Sequence, residues 1–217
     1  MKKAVIFDLD GTLIDSLGDI TDCLNEMLKK FNHKQVDKDF VTTCIGNGAR
    51  KLVERATQEK LTNDELDQRL AFYNEKYANL KEMKTKVFDG MDYVLKELKN
   101  KGFKLAILTN KPQVNTEEIY NILLSKYNFD LVYGEAPGRK VKPDKSLTMQ
   151  VLNELNVLPE ETFFVGDGDT DFLTAVNSNT VPIAVLWGNR TKEQLMSIGA
   201  TTFVNTPKEL LEYILNN

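Results

Sequence analysis

One histidine and two cysteines are all that the 217-residue chain has of these residue types, and this scarcity excludes several kinds of chemistry. His33 lies in a polar stretch that predicts a solvated loop, which leaves no imidazole for Ser-His-Asp or Cys-His catalysis. Cys23 and Cys44 are too few for a disulfide framework or a four-thiolate zinc site, and we expect both to be small apolar fillers. If the protein is an enzyme, carboxylates and lysines must carry out its chemistry.

The chain also lacks a strong excess of either charge and any long apolar run. It has 28 Lys and Arg against 32 Asp and Glu, which excludes a disordered acidic tail and a basic protein that coats nucleic acid. No apolar run approaches the ~20 residues of a membrane span, and the few apolar residues before Asp8 do not make a signal peptide. We therefore expect a cytoplasmic protein with neither nucleic acid nor a membrane as partner, and the sequence specifies no oligomeric state.

Short β-forming apolar runs alternate with amphipathic helical patterns along most of the chain. Apolar residues recur at helical spacing from Met91 to Leu98 and from Leu147 to Leu155. This alternation predicts a Rossmann-like three-layer α/β fold, with a mostly parallel sheet covered by helices on both faces. The predicted strands are residues 4–7, 105–108, 129–133, 162–165, 181–187 and 202–204.

The strand signal disappears from about residue 16 to residue 84, where only helical patterns remain. One apolar stripe runs from Leu17 to Phe31, and another runs from Leu66 to Leu80 after a capping-box pattern at residues 62–65. We expect an all-helical cap domain over residues 16–84, inserted into an α/β core domain made of residues 1–15 and 85–217. The alternative, that these helices only cover the sheet, requires unusually many helices between two strands.

Two carboxylates, Asp8 and Asp10, come directly after the first predicted strand. In open parallel sheets, ligands bind at the carboxyl ends of the strands. An Asp-Gly turn would account for Asp10 beside Gly11 without any function, but it leaves Asp8 unexplained.

A second acidic cluster, at residues 167–171, follows another apolar run. An EF-hand loop that starts at Asp167 would need Gly at 172 and Glu at 178, where the chain has Phe172 and Ser178. We therefore expect a smaller Mg²⁺ site of oxygen ligands. Asp167 is the expected ligand, and Asp171 either binds the metal, directly or through water, or supports another ligand. Asp169 is expected to form a turn or to be solvated.

Polar groups follow two further segments, at residues 109–111 and at residues 140–142. A threonine hydroxyl and free backbone N–H groups after a strand can hold a phosphate, and a lysine can balance its charge. For each lysine alone, a solvated surface position is the better explanation. Four ionised carboxylates outweigh one lysine, so the assembled cluster would repel a phosphate unless a divalent cation came between them.

Together these motifs resemble those of the haloacid dehalogenase superfamily of aspartate-nucleophile phosphotransferases. The four motifs occur in the family's order at residues 8–12, 109–110, 142–143 and 166–171 and span nearly the whole chain. True dehalogenases of that family lack the second aspartate of the first motif, so Asp10 indicates a phosphatase. A finer resemblance, to bacterial phosphoglycolate phosphatases, is carried by residues 45–49, 109–112, 185–188 and 198–200. The chain departs from that pattern at residues 144–145, where a second proline often follows the lysine, and at Asn179, where glycine is usual.

The resemblance implies that Asp8 attacks phosphorus and forms an aspartyl-phosphate, while Asp10 serves as general acid and base. With an ordinary pKa near 3.9, Asp8 would be ionised at neutral pH without an activating base. The resemblance also implies Mg²⁺ as cofactor, and its implied ligands are the Asp8 carboxylate, the Asp10 carbonyl, Asp167 and, as a further candidate, Asp171. The implied catalytic set is completed by Thr109, which holds phosphoryl oxygens together with backbone N–H groups, by Asn110, and by Lys142, which balances charge.

The finer resemblance implies a small phosphate ester, 2-phosphoglycolate, whose carboxylate needs a partner. Gly46 and Asn47 form a turn whose backbone can approach a ligand closely, and Arg50 could add a bidentate contact, with a solvated arginine as the alternative. Lys111 is a further candidate substrate residue. Other functions left open are a phosphatase for a nucleotide, a sugar phosphate or pyrophosphate and a β-phosphoglucomutase-like phosphomutase. A non-catalytic binding module is disfavoured because no motif position is lost.

Overall fold

The computed structural model describes residues 2–80 and 83–217. Six strands form one parallel sheet, and a short antiparallel pair lies apart from it. The strands are β1 (Ala4–Phe7), β2 (Ile14–Asp15), β3 (Lys86–Val87), β4 (Lys104–Pro112), β5 (Leu131–Glu135), β6 (Thr162–Gly166), β7 (Val181–Val185) and β8 (Phe203–Val204). The order across the large sheet is β5-β4-β1-β6-β7-β8, so that β1 lies at the centre, and β2 pairs with β3.

Helices surround this sheet and also fill the stretch between β2 and β3. The helices are α1 (Leu17–Lys30), α2 (Lys38–Cys44), α3 (Gly48–Thr57), α4 (Asn63–Ala78), α5 (Met91–Asn100), α6 (Gln113–Ile119), α7 (Ser146–Leu155), α8 (Asp169–Ser178), α9 (Lys192–Ser197) and α10 (Pro207–Asn216). In the described residues, no helix is both long enough and apolar enough to cross a membrane.

Both faces of the sheet are covered, because alternate residues of the central strand enter two different cores. Val5 and Phe7 belong to a cluster with α5 and α10, whereas Ala4 and Ile6 pack with α7 and with Ala175 of α8. All four β1 residues are fully buried, as expected of a strand covered on both faces. The predicted three-layer α/β fold is confirmed.

Strand boundaries differ from the prediction most in β5 and β4, and β7 ends at Val185 rather than at residue 187. Residues 129–130 are not part of β5, since the Asp130 carboxylate accepts a hydrogen bond from Leu105 N at 2.7 Å and Phe129 packs edge-on against Phe7. The strand β4 runs to Pro112 rather than ending at residue 108, and its pairing with β5 shifts register after Leu108. The polar residues 109–111 therefore lie within the last part of a strand.

The helices α1 to α4 occupy the segment that the sequence predicts as a cap. The predicted capping box is confirmed, because the Thr62 side chain accepts from Glu65 N while Glu65 accepts from Thr62 N. Tyr73 and Tyr77 of α4 are buried in the same core cluster as the apolar face of α1. The division into a cap and a core domain stays a prediction; Met1, Lys81 and Glu82, which fall within its ranges, lie outside the described residues.

One buried carboxylate joins the two ends of this helical segment. Asp19, near the start of α1, accepts hydrogen bonds from Lys84 N, Thr85 N and the Thr85 hydroxyl at 2.6 to 3.0 Å. The chain therefore leaves the sheet and returns to it at the same place.

His33 lies in a loop as predicted, but the expectation that it is solvated is wrong, whereas the expectation for the cysteines is confirmed. The His33 side chain is only 5% exposed, with Nδ1 3.2 Å from Glu59 Oε1 and Nε2 accepting from Arg69 Nε at 3.0 Å. The Arg69 guanidinium also lies over the Phe31 ring and is itself buried, so it covers the histidine. Cys23 and Cys44 are buried and free.

Candidate active site

The carboxyl ends of β1, β4 and β6 lie side by side and bring the predicted site residues into one cavity. Asp8 follows β1, Thr109 to Lys111 lie at the end of β4, and Asp167 follows β6. Parallel neighbours end at the same edge of a sheet, which explains the convergence of residues that lie far apart in sequence. Those that line the cavity are Asp8, Asp10, Gly46, Thr109, Asn110, Lys111, Lys142, Asp167 and Asp171.

Three of these acids form a tight buried group around one lysine. Carboxylate oxygens of Asp8, Asp167 and Asp171 lie within 4.8 Å of one another. Lys142 Nζ donates to Asp8 Oδ1 at 2.7 Å and to Asp171 Oδ1 at 2.6 Å, and its side chain is 2% exposed. The ammonium balances part of the negative charge, and the acids still outnumber it.

This crowding changes the protonation of the acids from what the sequence suggests. Burial raises the pKa of Asp8 to about 7, the Asp171 carboxylate adds to the rise, and Lys142 opposes it. Burial and the Asp8 carboxylate raise the pKa of Asp167 to about 6, against the hydrogen bonds from Asn189. The sequence predicts that Asp8 is freely ionised at neutral pH. Because its pKa is raised, this ionisation requires a positive charge beside Asp8 in addition to that of Lys142.

The acidic group fits a small divalent cation such as Mg²⁺. Its donors are carboxylate oxygens, the ligand type that Mg²⁺ prefers, and they are clustered and buried without enough positive charge. Asp171 accepts from Lys142 and from Gly168 N at 2.9 Å, and Asp167 accepts from Thr12 and Asn189. Asp8 accepts from Lys142 on Oδ1 only and is the least engaged of the three, and the nature of the metal and its ligand set stay predictions.

Two glycines allow the acids to lie this close to the backbone. A Cβ on Gly11, which has φ +85°, would lie 2.4 Å from Asp167 Oδ2. A Cβ on Gly166 would lie 2.2 Å from the Cβ of Asp171. Real side chains do not tolerate such contacts, so larger residues at either position would displace a carboxylate from the cluster.

Asp10 lines the same cavity but does not join the acidic group. Its Oδ1 accepts from the Ser16 hydroxyl at 2.5 Å, and both of its oxygens lie 3.1 Å from Lys111 Nζ. The same ammonium donates to the Tyr77 hydroxyl at 2.8 Å. Burial lowers the pKa of Lys111, but the Asp10 carboxylate and the contacts with Tyr77 together outweigh burial, so the pKa is raised. Lys111 is thus a buried, charged lysine, and a surface position is excluded for it.

The neighbours Thr109 and Asn110 have different surroundings. Thr109 is buried at the cavity wall, where its hydroxyl accepts from Lys111 N at 3.2 Å. The Asn110 side chain joins three segments, because its Oδ1 accepts from Lys142 N while its Nδ2 donates to Lys142 O and Gly46 O. Asn110 therefore orients the lysine segment and the turn above it.

The structure brings Gly46 to the cavity but not Asn47 or Arg50. Asn47 lines a separate surface groove. Arg50 turns away toward the start of α4, where its guanidinium pairs with Asp67 and lies 3.5 Å from Asn63 Oδ1, and 44% of its side chain is exposed. The alternative weighed for Arg50, a solvated arginine, agrees with this placement.

Sequence reasoning missed several polar residues of this site. Arg190 donates to Thr42 O and Ile45 O and lies 3.5 Å from Asp169, which fastens the turn over the cavity. Asn189 holds Asp167 Oδ2 through both its backbone and side-chain N–H groups, at 2.6 and 2.9 Å. Both follow β7, so the rule of strand ends that identified Asp8 and Asp167 could have identified them.

Comparisons with known proteins identify relatives of this chain. The sequence profile of the haloacid dehalogenase-like hydrolases matches residues 5–185. A phosphoglycolate phosphatase of Psychrobacter arcticus is 30% identical over 221 residues, covering 99% of this chain and 96% of that protein. One of Aquifex aeolicus is 33% identical over 186 residues, covering 86% and 85%. A crystal structure from Lactobacillus delbrueckii subsp. bulgaricus, of a protein described only provisionally as a phosphoglycolate phosphatase, superposes with TM-score 0.92 at 31% identity over 99% of both chains.

Proposed function

The chain belongs to the haloacid dehalogenase-like hydrolase family, and on that premise we propose that it is a cytoplasmic, Mg²⁺-dependent phosphatase. Its proposed substrate is a small phosphate monoester, 2-phosphoglycolate in the first place, and its intermediate is an aspartyl-phosphate on Asp8. The observation that carries the proposal is the buried Asp8 carboxylate at the floor of the cavity, with one oxygen held by Lys142. The other oxygen is the proposed nucleophile.

In the proposed reaction, Asp8 forms a bond to phosphorus as the ester oxygen leaves. Asp10 donates a proton to that oxygen and then takes one from the water that attacks the aspartyl-phosphate. The second step releases inorganic phosphate and restores Asp8. Thr109 and Lys142 hold the phosphoryl oxygens and balance their charge. Asp8, the Asp10 carbonyl and Asp167 would hold Mg²⁺, which neutralises further phosphoryl charge when bound.

The substrate preference rests on the relatives and on Lys111. Both curated relatives described above are named phosphoglycolate phosphatases. Lys111 supplies a buried positive charge on the side of the cavity where the leaving group would lie, beside Asp10. We assign the carboxylate of phosphoglycolate to this lysine rather than to Arg50. The cavity of about 70 Å³ has room for a handful of water-sized groups, which favours a small ester over a nucleotide.

We also propose that residues 16–84 act as the cap. The carbonyl of Ile45 accepts from Arg190, and that of Gly46 accepts from Asn110 and from the Thr170 hydroxyl. These hydrogen bonds hold the turn of the helical segment over the strand ends. In this arrangement, the helices provide the wall against which the leaving group packs.

The test is a screen of phosphate monoesters with the purified chain, each measured with and without Mg²⁺. Phosphoglycolate is expected to have the highest kcat/KM, and chelation of the metal is expected to abolish turnover of every substrate. A higher kcat/KM for a nucleotide, a sugar phosphate or pyrophosphate would overturn the substrate assignment. Conversion of a sugar phosphate only in the presence of a bisphosphate activator would identify a phosphomutase instead.

A further inference from the structure

One residue of the cavity wall has a buried polar atom without a hydrogen-bond partner. Among buried side-chain N and O atoms of the described residues, only Asn74 Oδ1, Thr148 Oγ1 and Asp169 Oδ1 lack a hydrogen bond. Of the three residues, Asn74 alone lines this cavity. Buried polar atoms in folded proteins are almost always hydrogen-bonded, so an unpartnered one in a residue that lines a cavity indicates a side chain whose interactions a ligand completes.

Helix propensity gives Asn74 no reason to be an asparagine. Asn74 lies in the interior of α4, where asparagine is a poor helix former and leucine a good one. The cavity that it lines also contains apolar and aromatic side chains, among them Ile20, Ile45, Ala49, Leu52 and Tyr73.

Two further groups near Asn74 complete a site for an anion. Tyr77 is one helical turn away on the same face of α4, and its hydroxyl oxygen accepts from Lys111 Nζ. In the part of the chain that the structure describes, the Tyr77 O–H has no acceptor of its own, so its proton is available to a ligand. Burial raises the pKa of Tyr77, which keeps it protonated. Lys111 supplies the positive charge behind this hydroxyl.

We propose that Asn74 binds the carboxylate of the substrate's leaving group, together with Tyr77 and Lys111. The Nδ2 group of the Asn74 carboxamide donates to one carboxylate oxygen. The Tyr77 O–H donates to the carboxylate, and Lys111 balances its charge. This inference rests on the proposed function and extends it, since it assigns a substrate-selecting role to a residue of the helical segment.

The experiment compares kcat/KM for phosphoglycolate with kcat/KM for ethyl phosphate, which lacks the carboxylate, and uses the ratio as the measure of selectivity. Asn74→Leu removes the amide, and Asn74→Asp keeps the shape of the side chain while adding a charge that repels the carboxylate. The control, Gln68→Glu, makes the same change from an amide to a carboxylate on the exposed face of α4. Asn74→Leu is expected to lower the ratio about 10- to 100-fold, mainly through KM, the scale of a hydrogen bond to a charged group. Asn74→Asp should lower it further, and Gln68→Glu should leave it unchanged.

Thermal unfolding separates this role from a structural one. Asn74→Leu is expected to have a melting temperature equal to or above that of the wild type, because an apolar side chain replaces an unpartnered amide. A lower melting temperature with unchanged selectivity would overturn the inference in favour of a structural role. If the wild type prefers phosphoglycolate and neither Asn74 substitution changes that preference, the inference is also overturned, whereas the phosphatase proposal stands.

Two other outcomes would reject the carboxylate as the group that Asn74 binds. An Asn74→Asp protein that keeps its phosphoglycolate activity and gains activity on 2-hydroxyethyl phosphate would identify a hydroxyl as the target. A wild type with no preference for phosphoglycolate over ethyl phosphate would overturn the substrate assignment of the proposed function, and the inference with it.

Discussion

The two ends of the cavity are built in different ways. At the acidic end, Asp8, Lys142, Asp167 and Asp171 are buried and held by short hydrogen bonds from several segments. At the opposite end, apolar side chains of the helical segment surround a few polar groups, and Asn74 Oδ1 has no partner. At the first end, the buried charges compensate one another. The second is sparsely polar, so that a ligand can contribute the missing partners.

This difference indicates that the acidic end of the cavity carries out the reaction and that the other end selects the leaving group. A change at the acidic end should affect every substrate alike, because the phosphoryl group is common to all of them. A change at the other end should alter only the ranking of leaving groups. A substitution that changes only one of these two effects supports this division of the cavity, and a substitution that changes both would contradict it.

The largest effect is expected for Asp8→Asn. The amide keeps the shape of the side chain but removes the ionised oxygen, so kcat should fall about 10⁴-fold or more on phosphoglycolate and p-nitrophenyl phosphate alike. Steady-state kinetics of the folded variant, verified by circular dichroism, measures this. Near-normal turnover of either substrate would exclude Asp8 as nucleophile.

Lys142→Met should reduce stability as well as activity. Removal of the ammonium leaves Asp8 and Asp171 buried without their partner, which is expected to lower the free energy of unfolding by about 3 kcal/mol without metal. Urea denaturation with and without Mg²⁺ measures the loss, and the cation should restore part of it. A variant as stable as the wild type in the absence of metal would contradict the account of Lys142 as the main counter-charge.

Asp167→Ala tests the metal at the same end, with Asp169→Ala as its matched control. We expect the Mg²⁺ concentration for half-maximal activity to rise about 10- to 100-fold for Asp167→Ala, the range seen when a metal site loses a supporting group. Asp169 is 41% exposed, and its removal should raise that concentration much less. Equal shifts for the two variants, in a Mg²⁺ titration of activity, would remove Asp167 from the metal site.

The smallest effect is expected for Arg50→Ala, which lies outside both ends of the cavity. Its half-exposed pair with Asp67 should contribute less than about 0.5 kcal/mol to stability. The kcat/KM for phosphoglycolate should remain within about twofold of wild type. A selective loss on phosphoglycolate but not on ethyl phosphate would return Arg50 to the substrate site.

The sequence predicts the acidic end well because strand ends in a parallel sheet have a fixed direction. Asp8 and Asp167 follow short, strongly apolar strands, and two such strands must end at one edge. The short pair β2 and β3 has two residues per strand, too few for any periodicity to reveal.

The opposite end could not be predicted in the same way. Helical periodicity identifies the buried face of α4 but does not say what that face contacts, so Tyr77 reads as an ordinary core residue. The contacts of His33 and Arg50 could not be predicted from the sequence for the same reason. The sequence neighbours of His33 are polar, and its burial depends on Arg69, which comes from another helix.

The contact of Asp19 with residues 84 and 85 has a consequence for how such a chain can diversify. Because the Asp19 carboxylate binds residues 84 and 85, the two ends of the helical segment are held together whatever the length of chain between them. Lengthening such a loop costs little entropy, about 0.6 kcal/mol for each doubling. We therefore expect that a different helical segment can be grafted at this point if it keeps the equivalent of Asp19, giving a chimera in which an unchanged sheet meets a new leaving-group wall.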